Sequence, residues 1–334
     1  LPPTIPGHPV SNITNYTFPG SSPNISGIDF QLEISDCNIV YWAMILQSGC
    51  DIEVNNDSLL AIGNSYTGSE TDTLTGFINN QFYHHFRPDF QNRSLTLKNS
   101  LVYAWNFYPV DSAFLVIDSC IFGEILSSGS SVSKIYNSTC DGSGGYFGAS
   151  GKSYIYAKNS FIKRLGQGMD IILNEDDAIV VFENTVVDGN ITLNQHTSLI
   201  FKNTIFSDLI TTNGASYFLY ISLDSVLNAR AGSIEDIKGS LYEKKGIFNT
   251  DQITGYALSY SFIDSSGFTS IVNLGSNPQL TNGTLGVWNT NGLAPGKYLL
   301  WLTAYVNGDS ISTAFREVKL DVNTHIHNII DNPD

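Results

Sequence analysis

At 334 residues the chain is long enough for two domains, each with a core of its own. Hydrophobic residues make up 42% and charged residues only 14%, a globular composition in which Asn, Ser, Thr, Gly and Tyr stand where charge usually does. With 16 Lys and Arg against 31 Asp and Glu the net charge is −15, which argues against nucleic acid and anionic lipid as partners.

The chain begins at Leu1 rather than Met, so the expectation is that an upstream segment has been processed away or is left out of this sequence. Residues 1–25 are rich in proline and carry three Asn-x-Ser/Thr sequons, at Asn12, Asn15 and Asn24. They read as an extended arm, either a flexible leader or a strand that pairs with a neighbouring sheet edge. Further sequons stand at Asn56, Asn92, Asn137, Asn190 and Asn282. Together with an even number of cysteines they point to a secreted, glycosylated protein at the cell surface. The longest apolar runs, Ile39–Leu46 and Tyr298–Leu302, fall far short of the roughly 20 residues of a spanning helix, so no membrane insertion is expected.

Over 26–230 a phrase repeats. Val180-Val181-Phe182-Glu183-Asn184-Thr185 returns nineteen residues later as Leu199-Ile200-Phe201-Lys202-Asn203-Thr204. The Asn/Asp-Ser/Thr pair also occurs at Asn99-Ser100, Asp118-Ser119 and Asn137-Ser138, and more loosely at Asn64, Asn159 and Asp224. A period near twenty with β-branched and aromatic residues around a polar turn is the pattern of stacked strands. Each position then lies about 4.8 Å above its counterpart one turn earlier. The expectations are Phe182 against Phe201, Val181 against Ile200, an Asn184–Asn203 ladder, and a weak surface pair of Glu183 with Lys202. The long gap between Asn64 and Asn99 predicts a protruding loop over 69–93, carrying the aromatics Phe82, Tyr83 and Phe86 as candidate binding residues. Cys120 and Cys140 are expected on adjacent turns as a disulfide, with Cys37 and Cys50 as a second.

After residue 230 the pattern changes to alternating segments: 234–241, 255–263, 269–273, 283–288, 297–306 and 314–322. Six short strands over 231–323, divided by Gly- and Pro-containing turns, predict an antiparallel β-sandwich, followed by a polar tail over 324–334.

By this architecture the repeat block resembles the right-handed parallel β-helix superfamily, the pectate-lyase-like coil. The segment Asn282-Gly283-Thr284-Leu285-Gly286-Val287-Trp288-Asn289-Thr290, then Gly292-Leu293-Ala294-Pro295-Gly296-Lys297-Tyr298, resembles the fibronectin/immunoglobulin-like modules of exported bacterial and archaeal proteins. The first resemblance implies a long cleft where carboxylates, a basic residue and Ca²⁺ act on polysaccharide. The second implies a module that supports, spaces or docks.

The best acidic candidate is Glu175-Asp176-Asp177. Asp176 and Asp177 can be read as a carboxylate pair for glycosidic chemistry, or all three as a Ca²⁺-binding turn, or as a solvated acidic turn. The further hydrolase phrases are missing, and no cofactor is required. His84-His85 point to opposite sides of an extended segment, and His325 and His327 lie in the tail. The function expected is that of a non-catalytic extracellular protein: a filament, sheath or surface-layer subunit, or an adhesin, whose partners are further copies or other surface proteins. A polysaccharide lyase, a glycoside hydrolase or a glycan-binding protein is the alternative.

Overall fold

The computed structural model describes the backbone of the strands between Val10 and Val102 and of residues 106–322, apart from 142–145, 164–169, 175–176, 207–209, 225, 227–228, 264–266 and 276–278; side chains are described at Leu97, Lys98 and from Phe107 onward, with these gaps and without those of 108, 170 and 273–275. Among the described residues every regular element is a strand. The chain divides into two compact units, Leu1–Phe218 with Lys244–Thr250, and Leu219–Glu243 with Asp251–Asp334.

The first unit is a parallel β-solenoid. One turn consists of Ile179–Glu183 on the first face, Val186–Val187 on the second and Asn190–Leu193 on the third, before Ser198–Lys202 starts the next. The second face is a 10-stranded sheet of two-residue strands, and the third face is split into sheets of four and seven strands. Coiling starts early. Val10–Thr14 already pairs in parallel with Gln31–Ser35, so strands form inside the segment expected to be an arm. Within the expected loop over 69–93, Thr73–Ile78, Gln81–Phe82, Phe86–Arg87 and Asp89–Gln91 are strands of the coil. The long gap arose because Asn64 lies within the third-face strand Ile62–Tyr66, and so does not share the position of Asn99.

Alternation sorts the side chains. Leu115, Ile117, Ile135, Ile155, Val180, Phe182, Leu199 and Phe201 are fully buried, which removes roughly 1.5–3 kcal/mol of apolar exposure for each. The expected pairings hold: Phe182 is in register with Phe201 and Val181 with Ile200. A ladder of rings runs through the core, Phe147 to Phe182 at 5.5 Å, Phe182 to Phe201 at 5.5 Å, and Phe201 to Phe218 at 5.2 Å between centroids.

The repeated Asn-Ser/Thr phrase has a clear mechanical role. Ser119, Asn137, Asn159, Asn184 and Asn203 all turn the first corner with left-handed φ between 47° and 57°, a conformation that Asn tolerates better than most residues. The next side chain points inward and caps backbone. Ser138 donates to the Tyr136 carbonyl at 2.6 Å, Ser160 to Lys158 at 2.8 Å, and Thr185 to Glu183 at 2.9 Å. Outside, Asn137 Nδ2 donates to Asp118 at 3.0 Å and Asn159 Nδ2 to Asn137 at 3.4 Å. A second ladder, not read from the sequence, joins Asn213 to Asn194 at 2.9 Å and Asn194 to Asn174 at 2.6 Å at the far corner. Turn length sets the register. It is 18 residues from Phe114 to Val132, so Asn137 stacks on Ser119 and not, as the nineteen-residue spacing suggests, on Asp118.

The same register overturns the disulfide expected between Cys120 and Cys140. Both are buried thiols. Cys140 pairs with Phe122 across the second face, while Cys120 occupies the inward corner position, below Ser138. A twenty-residue spacing across an eighteen-residue turn leaves the two sulfurs two positions apart. Cys37 and Cys50 lie outside the described residues.

The second unit is antiparallel. Ile234–Lys245 pairs with Leu280–Asn289, and a four-stranded sheet runs in the order Thr269–Gly275, Ile253–Phe262, Gly296–Val306, Asp309–Leu320. Trp288, fully buried, packs between Tyr260 at 5.3 Å and Tyr298 at 5.6 Å, and Tyr256 donates to the Leu285 carbonyl at 2.7 Å. All six segments expected from alternation coincide with strands, four of them longer than expected at one or both ends and two, Ile253–Phe262 and Asp309–Leu320, starting and ending earlier.

Candidate functional site

Two surfaces of the coil carry unusual side chains. The first is a ridge along the second face. Strands of two residues can turn only one side chain inward, and Phe122, Cys140, Ile162 and Val187 take that place. Their neighbours Ile121, Thr139, Phe161, Val186 and Ile205 therefore point outward, each in register with the next. Ile121 is 42% exposed, Phe161 47% and Ile205 68%. Thr139 and Val186 are half-buried between them. Large and small side chains thus alternate along the coil. Beside the ridge runs a charged column, Asp141, Lys163 and Asp188, and Lys163 Nζ lies 5.3 Å from the Phe161 ring centroid. In the sequence the pairs Phe161-Ile162 and Val186-Val187 that follow Ser160 and Thr185 read as core, although an extended strand buries only one residue of each.

The second surface lies on the first face. Here Tyr136, Tyr154, Tyr156, Lys158 and Glu183 are outward-facing yet cover one another. Tyr156 donates to Glu183 Oε2 at 2.7 Å, and Lys158 Nζ approaches Glu183 Oε1 at 2.8 Å as an ionic contact. The Tyr136 and Tyr156 rings meet edge-on at 6.0 Å. Burial first, then the hydrogen bond to Glu183, raises the Tyr156 phenol well above its ordinary pKa. Burial likewise lowers Lys202, against the pull of Glu183. Glu183 and Lys202 are in register as expected, but the carboxylate is nearly buried and its close cation is Lys158, one turn back. Oε2 of this carboxylate accepts from Tyr156, while Oε1 has no hydrogen bond among the described residues and is met by the charge of Lys158.

Asp177 is exposed at a left-handed corner with φ 66°, and Glu175 and Asp176 lie outside the described residues. Among the described residues no group of three or more His, Cys, Asp or Glu is placed to hold a metal ion. Of the candidate aromatics, Phe82 and Phe86 fall on second- and third-face strands with side chains outside the described set, as is Tyr83 altogether. Among the sequons Asn137, Asn190 and Asn282 are exposed; Asn137 donates its amide in the corner ladder, and Asn282 Oδ1 accepts from Ser240. The side chains of Asn12, Asn15, Asn24, Asn56 and Asn92 lie outside the described residues.

No protein-family model matches this chain, and no curated protein matches it in sequence.

Proposed function

We propose that this chain is a non-catalytic extracellular surface protein, a structural subunit of a filament, sheath or surface layer, or an adhesin. In this reading the coil is a stiff rod of the right-handed β-helix kind, and the antiparallel unit is an immunoglobulin/fibronectin-like spacer. The observation that carries it is the ridge: exposed apolar side chains at Ile121, Phe161 and Ile205, aligned along one face of a rigid coil. Contiguous exposed apolar surface is characteristic of sites where proteins meet. For the second unit, Tyr298 donates to the Ala294 carbonyl at 2.9 Å, the kind of contact a tyrosine corner makes in such sandwiches. Electron microscopy and sedimentation of native material test the reading, with binding of the purified chain to cells as the adhesive arm. Ordered arrays, concentration-dependent mass or saturable surface binding are expected. A monomer that binds no surface overturns it.

A glycan ligand along the first face is the second reading, favoured by the Tyr136–Tyr156 platform, whose successive turns are spaced about 4.8 Å apart, close to the length of a pyranose unit. Binding rather than turnover fits a Glu183 already engaged by Tyr156 and Lys158. A screen of acidic polysaccharides with and without Ca²⁺, read for both binding and cleavage, distinguishes the two, and Tyr156→Ala identifies the face.

A further inference from the structure

The ridge carries information about what covers it. Its outward residues alternate large and small in successive turns: Ile121, Thr139, Phe161, Val186, Ile205. The flanking column changes charge at the same period, Asp141, then Lys163, then Asp188, each following the inward residue of its strand. A ridge of this kind does not fit an in-register parallel copy of itself, because large side chains then meet large ones, and the one-turn shift that avoids this is not closed by a two-fold axis. Running antiparallel about a two-fold axis across the coil, it does. With the largest knob, Phe161, set against the smallest gap, Thr139, Ile121 falls against Val186 of the second copy. The same operation keeps the flanking columns on one side and brings each Lys163 opposite an Asp141. Charge also permits the neighbouring register, in which Phe161 meets Val186 and Lys163 meets Asp188; the smaller gap at Thr139 selects between the two.

We propose that the second face is the docking surface for a second copy of this chain, in an antiparallel, two-fold pairing centred between Thr139 and Phe161. The inference rests on the structural reading above and names its partner. Interdigitation of knobs about 4.8 Å apart per turn resembles the dry contact between paired sheets, here with the coil supplying the rigid backbone. Isologous contacts of this type close on themselves, so the ridge makes a dimer and leaves the coil ends for any further assembly.

Sedimentation equilibrium of the full chain over a wide concentration range tests it. The mass is expected to double with concentration. Phe161→Ser, whose melting temperature and circular dichroism verify the fold, weakens association about tenfold or more. Lys163→Asp weakens it also, and adding Asp141→Lys to that variant restores it, because the charges are exchanged in register. Rescue by Asp188→Lys instead, or no rescue by either, overturns the register. A wild-type chain that stays monomeric overturns the pairing but leaves the adhesive reading standing. Assembly that ignores every ridge substitution also overturns it, while the structural reading survives through another surface.

Discussion

Cys120 does the work of a serine: its thiol reaches the Asp118 carbonyl at 3.1 Å, as the Ser138 hydroxyl one turn above reaches Tyr136 at 2.6 Å. The Cys120 amide in turn donates to Ser138 Oγ at 3.0 Å, so the corner column continues through the Cys120 backbone. A hydroxyl makes this bond better than a thiol. Cys120→Ser is therefore expected to keep or slightly raise stability, and Cys120→Ala to lose about 0.5–1.5 kcal/mol, read from urea midpoints. Alkylation of the denatured, unreduced protein followed by peptide mapping should label both Cys120 and Cys140. A bridged peptide containing the two would refute the register drawn here.

Phe182 tests the core in the same way. It is fully buried, with rings at 5.5 Å on both sides. In a coil the turns above and below are held by continuous hydrogen-bonded ladders and cannot collapse into a void. Phe182→Ala should accordingly cost about 3–5 kcal/mol, and Phe182→Leu clearly less. A loss below about 1 kcal/mol in denaturant titration would mean that the turns do close up.

The corner asparagines separate two contributions. Asn184 holds φ 48°, so Asn184→Ala pays the left-handed penalty of about 1–2 kcal/mol, while Asn184→Gly removes that strain and loses only side-chain contacts. Glycine is expected to be the more stable of the two in thermal melts. If alanine is equal or better, the corner is not left-handed in solution.

The coil was legible because stacking repeats chemistry: one buried Phe implies another a turn away, and Asn-Ser/Thr recurs since each corner needs a left-handed residue followed by an inward hydroxyl. What stayed hidden followed from variable turn length. Turns of 18, 22, 25 and 19 residues between Phe114, Val132, Tyr154, Ile179 and Ser198 shift the register, and no fixed period assigns Cys120 or Asn64 correctly. The ridge was hidden for another reason. In a two-residue strand the apolar pair Phe161-Ile162 looks like core, and only the fold says which of them faces water. Glu183 was misjudged because its burial comes from Tyr156 and Lys158, two long side chains from the preceding turn whose lean the sequence does not encode.

Alkaline pH probes the second unit through Tyr242. Its ring stacks on Tyr220 with centroids 5.0 Å apart and an interplanar angle of 21°. Burial, with a smaller push from Tyr220, moves the phenol up from 10.0 to about 12. The folded state thus holds its proton more tightly than the unfolded chain does. The stability this confers is complete below pH 10, where both states are protonated, and is lost as pH rises toward about 12, because there unfolding releases a proton. The urea midpoint should fall across that window, and Tyr242→Phe, which keeps the stack and removes the proton, should flatten part of the fall. Tyr154 and Tyr156 in the coil, and Tyr256 and Tyr298 in the second unit, are also raised by burial and add to the fall. An identical alkaline slope in wild type and Tyr242→Phe would show that the phenol titrates freely and that the stack is open to water.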